Sequence, residues 1–291
     1  MTRKGLAPVI AVINMKGGVG KTTISAHLFR VMFEILRVGT LIIDLDPQFN
    51  LTQAVFTRSR YDSLKKRNKT VYQALEPYPS SGLFTIRTSL EPPPRPIDIG
   101  EPLWYVPNTD PRESLVVIPG DFDLVKYNLM HDNRKLEAVQ QRFSDFIKMA
   151  RHDYKIVVID CNPSSSFLTL CALHACTHMI VPVRPDRYSI LGLELISDFV
   201  DGIPTIIKKP DIIVVLNGVP RNNYKPKVEN DLRAHRVFGT LTLANRIYES
   251  GLLVANPDYT GFATDRRVSH RRQLMRELNS VAIELSQRLG L

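Results

Sequence analysis

PVIAVINMKGGVGKTT, running from Pro8 to Thr23, is the stretch on which the fold is decided. Pro8–Ile13 is short, apolar and rich in β-branched residues, the pattern of a strand buried on both faces of a parallel sheet. Gly17, Gly18 and Gly20 follow at once. A helical pattern then begins, with Ile24, Leu28, Val31, Ile35 and Leu36 on one stripe. Gly39 ends it, and Thr40–Leu45 reads as a second strand. Strand, glycine loop, helix and strand in this order make a βαβ unit.

The glycines let successive backbone N–H groups turn inward and ring a phosphate. The helix behind them adds its positive N-terminal end. Gly20-Lys21-Thr22 supplies the end of the G-x-x-x-x-G-K-[ST] pattern, which the loop meets only in part. In that pattern Lys21 is a point charge for the β- and γ-phosphates, and the Thr22 hydroxyl can ligate Mg²⁺.

Further strands are expected at Leu115–Ile118, Lys155–Asp160, Met179–Val183 and Ile212–Leu216. Helical patterns over about Phe122–Ala150, Leu168–Ala175 and Ile190–Val200 separate them. The alternation predicts an α/β fold, a mostly parallel β-sheet flanked by helices on both faces. Ser269 is placed to cap a last helix whose stripe is Leu274, Leu278, Val281 and Leu285, stopped by Gly290. One compositional break, about Ser80–Asp110, holds the run Pro92-Pro93-Pro94-Arg95-Pro96 and the only tryptophan, Trp104. It reads as an irregular Pro-rich excursion from a single domain spanning residues 1–291, because strands continue on both sides at unchanged spacing.

Composition excludes several classes. With 44% hydrophobic and 23% charged residues among 291, the chain can bury a sizeable core and is not wholesale disordered. Three cysteines, Cys161, Cys171 and Cys176, make no secreted disulfide framework and point to a reducing cytoplasm. No apolar run approaches the ~20 residues that span a bilayer, so no stable membrane insertion is expected. Lys and Arg total 38 against 29 Asp and Glu, a net charge of +9 that suits a polyanionic partner.

Lys16-Gly-Gly-Val-Gly-Lys-Thr-Thr23 resembles the deviant Walker A loop of ParA/MinD-type ATPases, closest to the ParA-like partition ATPases. Leu45-Asp46-Pro47-Gln48 with Asn50-Leu51-Thr52 is similar to that family's switch segment, and Thr70–Leu75 to its T-[IV]-Y-x-x-L stretch. Val158-Ile159-Asp160 matches the hydrophobic strand ending in Asp, and Pro182-Val183-Arg184-Pro185 with Leu191-Gly192-Leu193 a later pattern. The resemblance covers about residues 8–250 and implies a P-loop NTPase fold, ATP and Mg²⁺ as cofactors, and slow, partner-stimulated hydrolysis of ATP. It implies an ATP-dependent homodimer in which Lys16 reaches the partner's phosphates. Lys16, Lys21 and Asp46 are then the catalytic candidates, with Asp46 orienting the attacking water. Gly17, Gly18, Val19, Gly20, Lys21, Thr22, Thr23 and Asn217 hold the nucleotide, Asn217 at the adenine edge. Thr22, Asp44 and Asp160 attend the metal.

The residues support parts of this independently. Asp160 ends an apolar strand at the carboxyl edge of the sheet, where ligands of open α/β sheets sit. Asp44 and Asp46 flank Leu45 and share a face of an extended segment. Lys16 has no acidic neighbour in sequence and reads as facing outward. The chain departs from the family in Cys161-Asn162 after the strand Asp, in Arg184 where Gln is common, and in the long excursion.

Basic residues cluster at Arg58, Arg60, Lys65, Lys66, Arg67 and Lys69, and residues 221–291 carry 12 Lys and Arg against 7 Asp and Glu. The resemblance implies non-specific DNA binding, mainly through basic residues of the C-terminal part, which makes Arg221, Lys225, Lys227, Arg266, Arg267, Arg271 and Arg272 the DNA-binding candidates; sequence-blind phosphate contact needs only positive charge held in one plane. The expected function is an ATP-driven dimerisation switch that binds DNA non-specifically and partitions or positions DNA or another cargo. Its implied partners are DNA and a cargo- or centromere-binding adaptor that stimulates the ATPase, on a cytoplasmic, nucleoid-associated protein. The alternative is an ATP-switched interaction or membrane-site-selecting regulator that does not bind DNA.

Overall fold

The computed structural model describes residues 6–77, 82–105, 110, 113–130, 132–222, 224–254 and 258–291. Eight strands form one sheet: β1 Val9–Val12, β2 Thr40–Asp44, β3 Glu101–Trp104, β4 Leu115–Ile118, β5 Ile156–Asp160, β6 His178–Val183, β7 Asp211–Val219 and β8 Ile247–Tyr248. Their order is β3-β4-β2-β5-β1-β6-β7-β8. All pairings are parallel except β3 with β4. The chain leaves β1 toward β2 on one side and later leaves β6 toward β7 on the other. The phosphate loop therefore lies at a topological switch point, outside the carboxyl ends of the strands.

Side-chain alternation along the strands fills a core on each face. Val9, Ala11, Ile43, Val157 and Ile159 pack on one side, with the helices Asn133–Asp153, Phe167–Ala175 and Ser189–Asp201 contributing Phe143, Leu168 and Leu193. Ile10, Val12, Ile42, Ile156 and Val158 pack on the other, under the phosphate-loop helix and the C-terminal helix Arg271–Arg288. These central strands are buried on both faces, so they read as unbroken apolar runs.

The phosphate-loop helix is α-helical at Lys21–Thr23, π-helical at Ile24–Leu28 and α-helical again at Phe29–Leu36. The wider turn shifts the helix phase. Ile24, Leu28 and Val31 are buried as expected, but Phe29, Met32 and Phe33 join them and Ile35 is exposed. Arg37, not Gly39, takes the left-handed cap, and the Gly39 carbonyl instead accepts from Lys155 and Ile156.

Other boundaries also moved. The stretch expected as one helix from Phe122 divides into a 3-10 helix Phe122–Asn128 and the helix Asn133–Asp153, because Asp121 and Asp132 each cap a separate start. The last helix is preceded by His270 in a left-handed conformation with no side-chain cap, so Ser269 does not have the capping role. Its stripe Leu274, Leu278, Val281 and Leu285 is buried as read. The Pro-rich excursion is less irregular than its composition suggests. It holds a short helix Pro96–Ile99, opened by proline at its first position, and the antiparallel edge strand β3. Trp104 donates from Nε1 to Asp265 at 3.1 Å and carries the Arg30 guanidinium 4.4 Å from its ring centre. Residues 80–81 and 106–109 of that stretch lie outside the described residues.

Candidate nucleotide site

Gly18 and Gly20 have φ of 73° and 93°, the left-handed region open to glycine. A Cβ on Gly20 would come within 2.1 Å of Asn217 Nδ2. Asn217, at the end of β7, donates that nitrogen to the Val19 carbonyl at 2.7 Å, which ties the loop to the neighbouring strand and leaves its side-chain oxygen for other partners. Asn14 fixes the loop's entry: its Oδ1 accepts from the Lys16 backbone at 2.9 Å and its Nδ2 donates to the Pro182 carbonyl. A cavity of about 710 Å³ opens in front of this loop, lined by Gly17, Gly18, Gly20, Lys21, Thr22 and Thr23. Asp46, Gln48, the 252–254 segment and Arg266 complete its walls. A second cavity of about 400 Å³ adjoins it past Thr23, beside Arg184, Asn217 and Glu249.

Lys21 is buried, and its Nζ lies 3.4 Å from the Lys16 carbonyl. Burial lowers its pKa, and the charges of Asp160 and Asp46 work against that shift. Asp160 is fully buried at the end of β5, and both its oxygens accept hydroxyls from one helix: Thr22 at 2.9 Å and Ser25 at 2.7 Å. Asp44 stands directly opposite it on β2. Burial raises both carboxyls above their ordinary range, and the charge of Asp160 raises Asp44 further.

Asp44, expected at the metal's water shell, is engaged by the chain itself: Oδ2 accepts from the Thr52 N–H at 2.8 Å and the Thr52 hydroxyl at 2.6 Å, and Oδ1 from Asp46 N–H at 3.3 Å. The Gly120 N–H donates to the same hydroxyl at 2.7 Å. Asp44 thus organises the switch segment from behind, and Asp46 is the carboxylate that lines the cavity. The Gln48 N–H donates to Asp46 at 2.9 Å. Burial raises the Asp46 pKa, with that N–H and Lys21 opposing.

Lys16, read as facing outward, is half exposed, and its Nζ is ion-paired with Asp186 of its own chain, in the loop after β6. Asp186 further accepts from the Tyr188 N–H at 3.0 Å. Burial would raise its pKa, but the hydrogen bonds from Lys16 and Tyr188 and the lysine's charge outweigh that and hold it below the ordinary value. Sequence reasoning missed this aspartate, along with Ser25, Thr52 and Gly120. Thr52 falls inside the quoted switch segment without a role being read for it, and no local signal marks Ser25 or Asp186, because each acts on a residue brought near by the sheet.

The donor set fits magnesium. Thr22, Asp46 and Asp160 offer hard oxygens at the loop, and among the described residues no cluster of three His, Cys, Asp or Glu could hold a metal alone. An ion that keeps several waters and leans on substrate phosphates suits such a site. Cys161 is buried, with its thiol pushed well up by burial, and packs as a small apolar side chain.

The basic candidates separate into two kinds. Arg221 is bidentate to Glu277, at 2.8 and 2.9 Å, and stacks on Tyr248. Arg271 donates to the Thr264 carbonyl, and Arg266 lies over Tyr259 beside the cavity. Lys225, Lys227, Arg267 and Arg272 are exposed. In the 58–69 cluster, Arg58 pairs with Asp62, Arg60 with Glu101 and Lys65 with Asp121. No helix among the described residues is long and apolar enough to cross a membrane.

Comparison with known proteins agrees with this geometry. The family AAA_31, described as an AAA domain, matches residues 7–212. A ParA family protein of Chlamydia trachomatis is 30% identical over 198 residues, 67% of this chain and 65% of the relative. The chromosome partitioning protein ParA of Myxococcus xanthus is 26% identical over 78% of this chain and 71% of its own. Among solved structures, a plasmid partition protein from Borrelia burgdorferi bound to AMPPNP has a TM-score of 0.64 at 18% identity, covering 98% of this chain and all of that one. pNOB8 ParA bound to nonspecific DNA has a TM-score of 0.62 at 18% identity over 98% and 99% of the two chains. Cobyrinic acid a,c-diamide synthase from Mycobacterium smegmatis, with an ATP analogue and magnesium, has 0.65 at 23% identity over 97% and 95%, so the fold alone also serves metabolite chemistry. Family match, loop geometry and sheet order together make this chain a member of the AAA_31 family, a ParA-like P-loop ATPase.

Proposed function

We propose that the chain, acting as one domain over residues 1–291, is an ATP-hydrolysing dimerisation switch. In its ATP-bound dimer it binds DNA non-specifically and drives partition or positioning of DNA or another cargo. The observation that carries the reading is the phosphate loop with two lysines: Lys21 buried at its base and Lys16 half exposed at its rim. Lys21 and the loop's N–H groups bind the phosphates of ATP, and the adjoining cavity with Asn217 receives the base. Thr22 and Asp160 hold magnesium, which when bound neutralises charge on the phosphates. Asp46 orients the attacking water; positioning is the main contribution a carboxylate makes to such transfer. Lys16 leaves Asp186 and crosses to a second copy, where it offsets the repulsion of two nucleotides at one interface. Hydrolysis removes that bridge and dissolves the dimer.

DNA binding fits the net charge of +9 and the exposed Lys225, Lys227, Arg267 and Arg272. Pairing two subunits doubles the phosphate contacts, so affinity depends steeply on salt. A cargo-bound adaptor that stimulates hydrolysis, and association with the nucleoid, complete the cycle. The test is DNA binding measured against salt with ATP, ADP and no nucleotide. Tight, salt-sensitive binding with ATP alone supports the reading. Binding indifferent to nucleotide, or no binding beside ATP-dependent dimers, moves the protein to the class of ATP-switched regulators that do not bind DNA.

A further inference from the structure

Asp160 has two hydroxyl partners, and they are not equivalent. Thr22 lines the cavity and is free to meet a ligand there. Ser25 does not line it; it is wholly buried, with Oγ 2.7 Å from Asp160 Oδ1. Ser25 also lies within the π-helical stretch Ile24–Leu28 of the phosphate-loop helix, and single wide turns of this kind recur at functional sites. A buried serine in mid-helix ordinarily returns its hydroxyl to a carbonyl one turn back. Here it donates instead to a carboxylate on the neighbouring strand.

We propose that Ser25 is a positioning residue for the metal site: its hydroxyl fixes the rotation of the Asp160 carboxylate, so that Oδ2 faces Thr22 and the magnesium nucleotide. The inference rests on the ATPase reading above. A carboxylate in a closed pocket between β1 and β2 turns about its last bond unless both edges are engaged. When a ligand draws on the Thr22 edge, Ser25 is the bond that stays. Partners of this kind behind metal-binding groups change metal affinity by roughly 10–100-fold when removed.

The experiment is a magnesium titration of binding of a non-hydrolysable, fluorescent ATP analogue, with ADP binding in EDTA and thermal melting measured alongside. Ser25→Ala raises the magnesium needed for half-saturation about tenfold, leaves ADP affinity in EDTA unchanged, and Ser25→Thr, which keeps a hydroxyl, restores most of the loss. In an Asp160→Asn background Ser25→Ala has no further effect on the magnesium requirement. An unchanged magnesium midpoint in Ser25→Ala, or equal shifts with and without Asp160, overturns the inference and leaves the ATPase reading standing. If Ser25→Ala does not fold, Ser25→Cys, whose thiol is a weak donor, carries the same comparison. A wild type whose nucleotide binding ignores magnesium overturns the ATPase reading and this inference together.

Discussion

Lys16 and Asp186 stand 170 positions apart in sequence and form an ion pair across the rim of the phosphate loop, Lys16 from the loop itself and Asp186 from the turn that opens helix Ser189–Asp201. The lysine proposed to act between subunits is thus held within its own.

That pairing competes with any contact Lys16 makes to a second copy. Exposed pairs of this kind are worth about 0–1 kcal/mol and a dimer releases two of them, so Asp186→Asn is expected to strengthen ATP-dependent dimerisation by no more than about thirtyfold. Lys16→Ala keeps ATP-analogue binding and loses the dimer. Light scattering with and without the analogue checks both; a dimer that persists in Lys16→Ala would remove the crossing role.

Lys21→Ala should abolish nucleotide binding, because no other cation is buried at the base of the loop among the described residues. Asp46→Ala should bind ATP and stay dimeric, since it loses the group proposed to orient water and keeps those proposed to hold phosphate. Single-turnover hydrolysis decides the point: a wild-type rate in Asp46→Ala excludes that residue from the chemistry.

His27 gives the fold a pH dependence of its own. It is buried on the phosphate-loop helix at the wall of the cavity, and its Nδ1 accepts from the Ala263 N–H at 3.3 Å, so the ring is held neutral. Burial lowers its pKa from 6.5 to about 4. Above pH 6.5 neither folded nor unfolded chain carries the proton, and the ring has no effect on stability. As pH falls from 6.5 toward 4 the unfolded chain binds the proton first, so stability declines by about 3 kcal/mol and then levels off. Denaturant midpoints for wild type and His27→Asn should converge as pH falls through this window. Parallel curves would contradict the assignment.

The basic candidates should separate by their contacts. Arg267→Ala and Arg272→Ala are expected to weaken DNA binding and to lower the slope of log affinity against log salt by about one each, with no change in melting temperature. Arg221→Ala leaves Glu277 without its bidentate partner and should lower the melting temperature with the salt slope unchanged. Salt-series binding and thermal melts on the same three variants make the comparison.

Much of this was legible in the chain itself. The apolar runs at 9–12, 40–44, 115–118 and 156–160 could be read as strands because parallel strands buried on both faces leave no polar alternation. Gly18, Gly20, Lys21 and Thr22 were legible because phosphate binding is done by consecutive residues of one loop. Edge strand β3 was hidden by proline, which a central strand excludes and an edge strand tolerates. The phase change in the phosphate-loop helix was hidden because a π turn leaves no mark in a 3.6-residue period.

What the sequence alone determined is the fold class and the local chemistry of the loop, since both depend on periodicity and on neighbours a few residues apart. What only the tertiary structure decided is which side chains face one another: Ser25 and Asp160, Thr52 and Asp44, Asp186 and Lys16. Those contacts arise where separate strands end side by side in the sheet. Their partners lie 8 to 170 residues away, a distance over which spacing along the chain carries no geometric information.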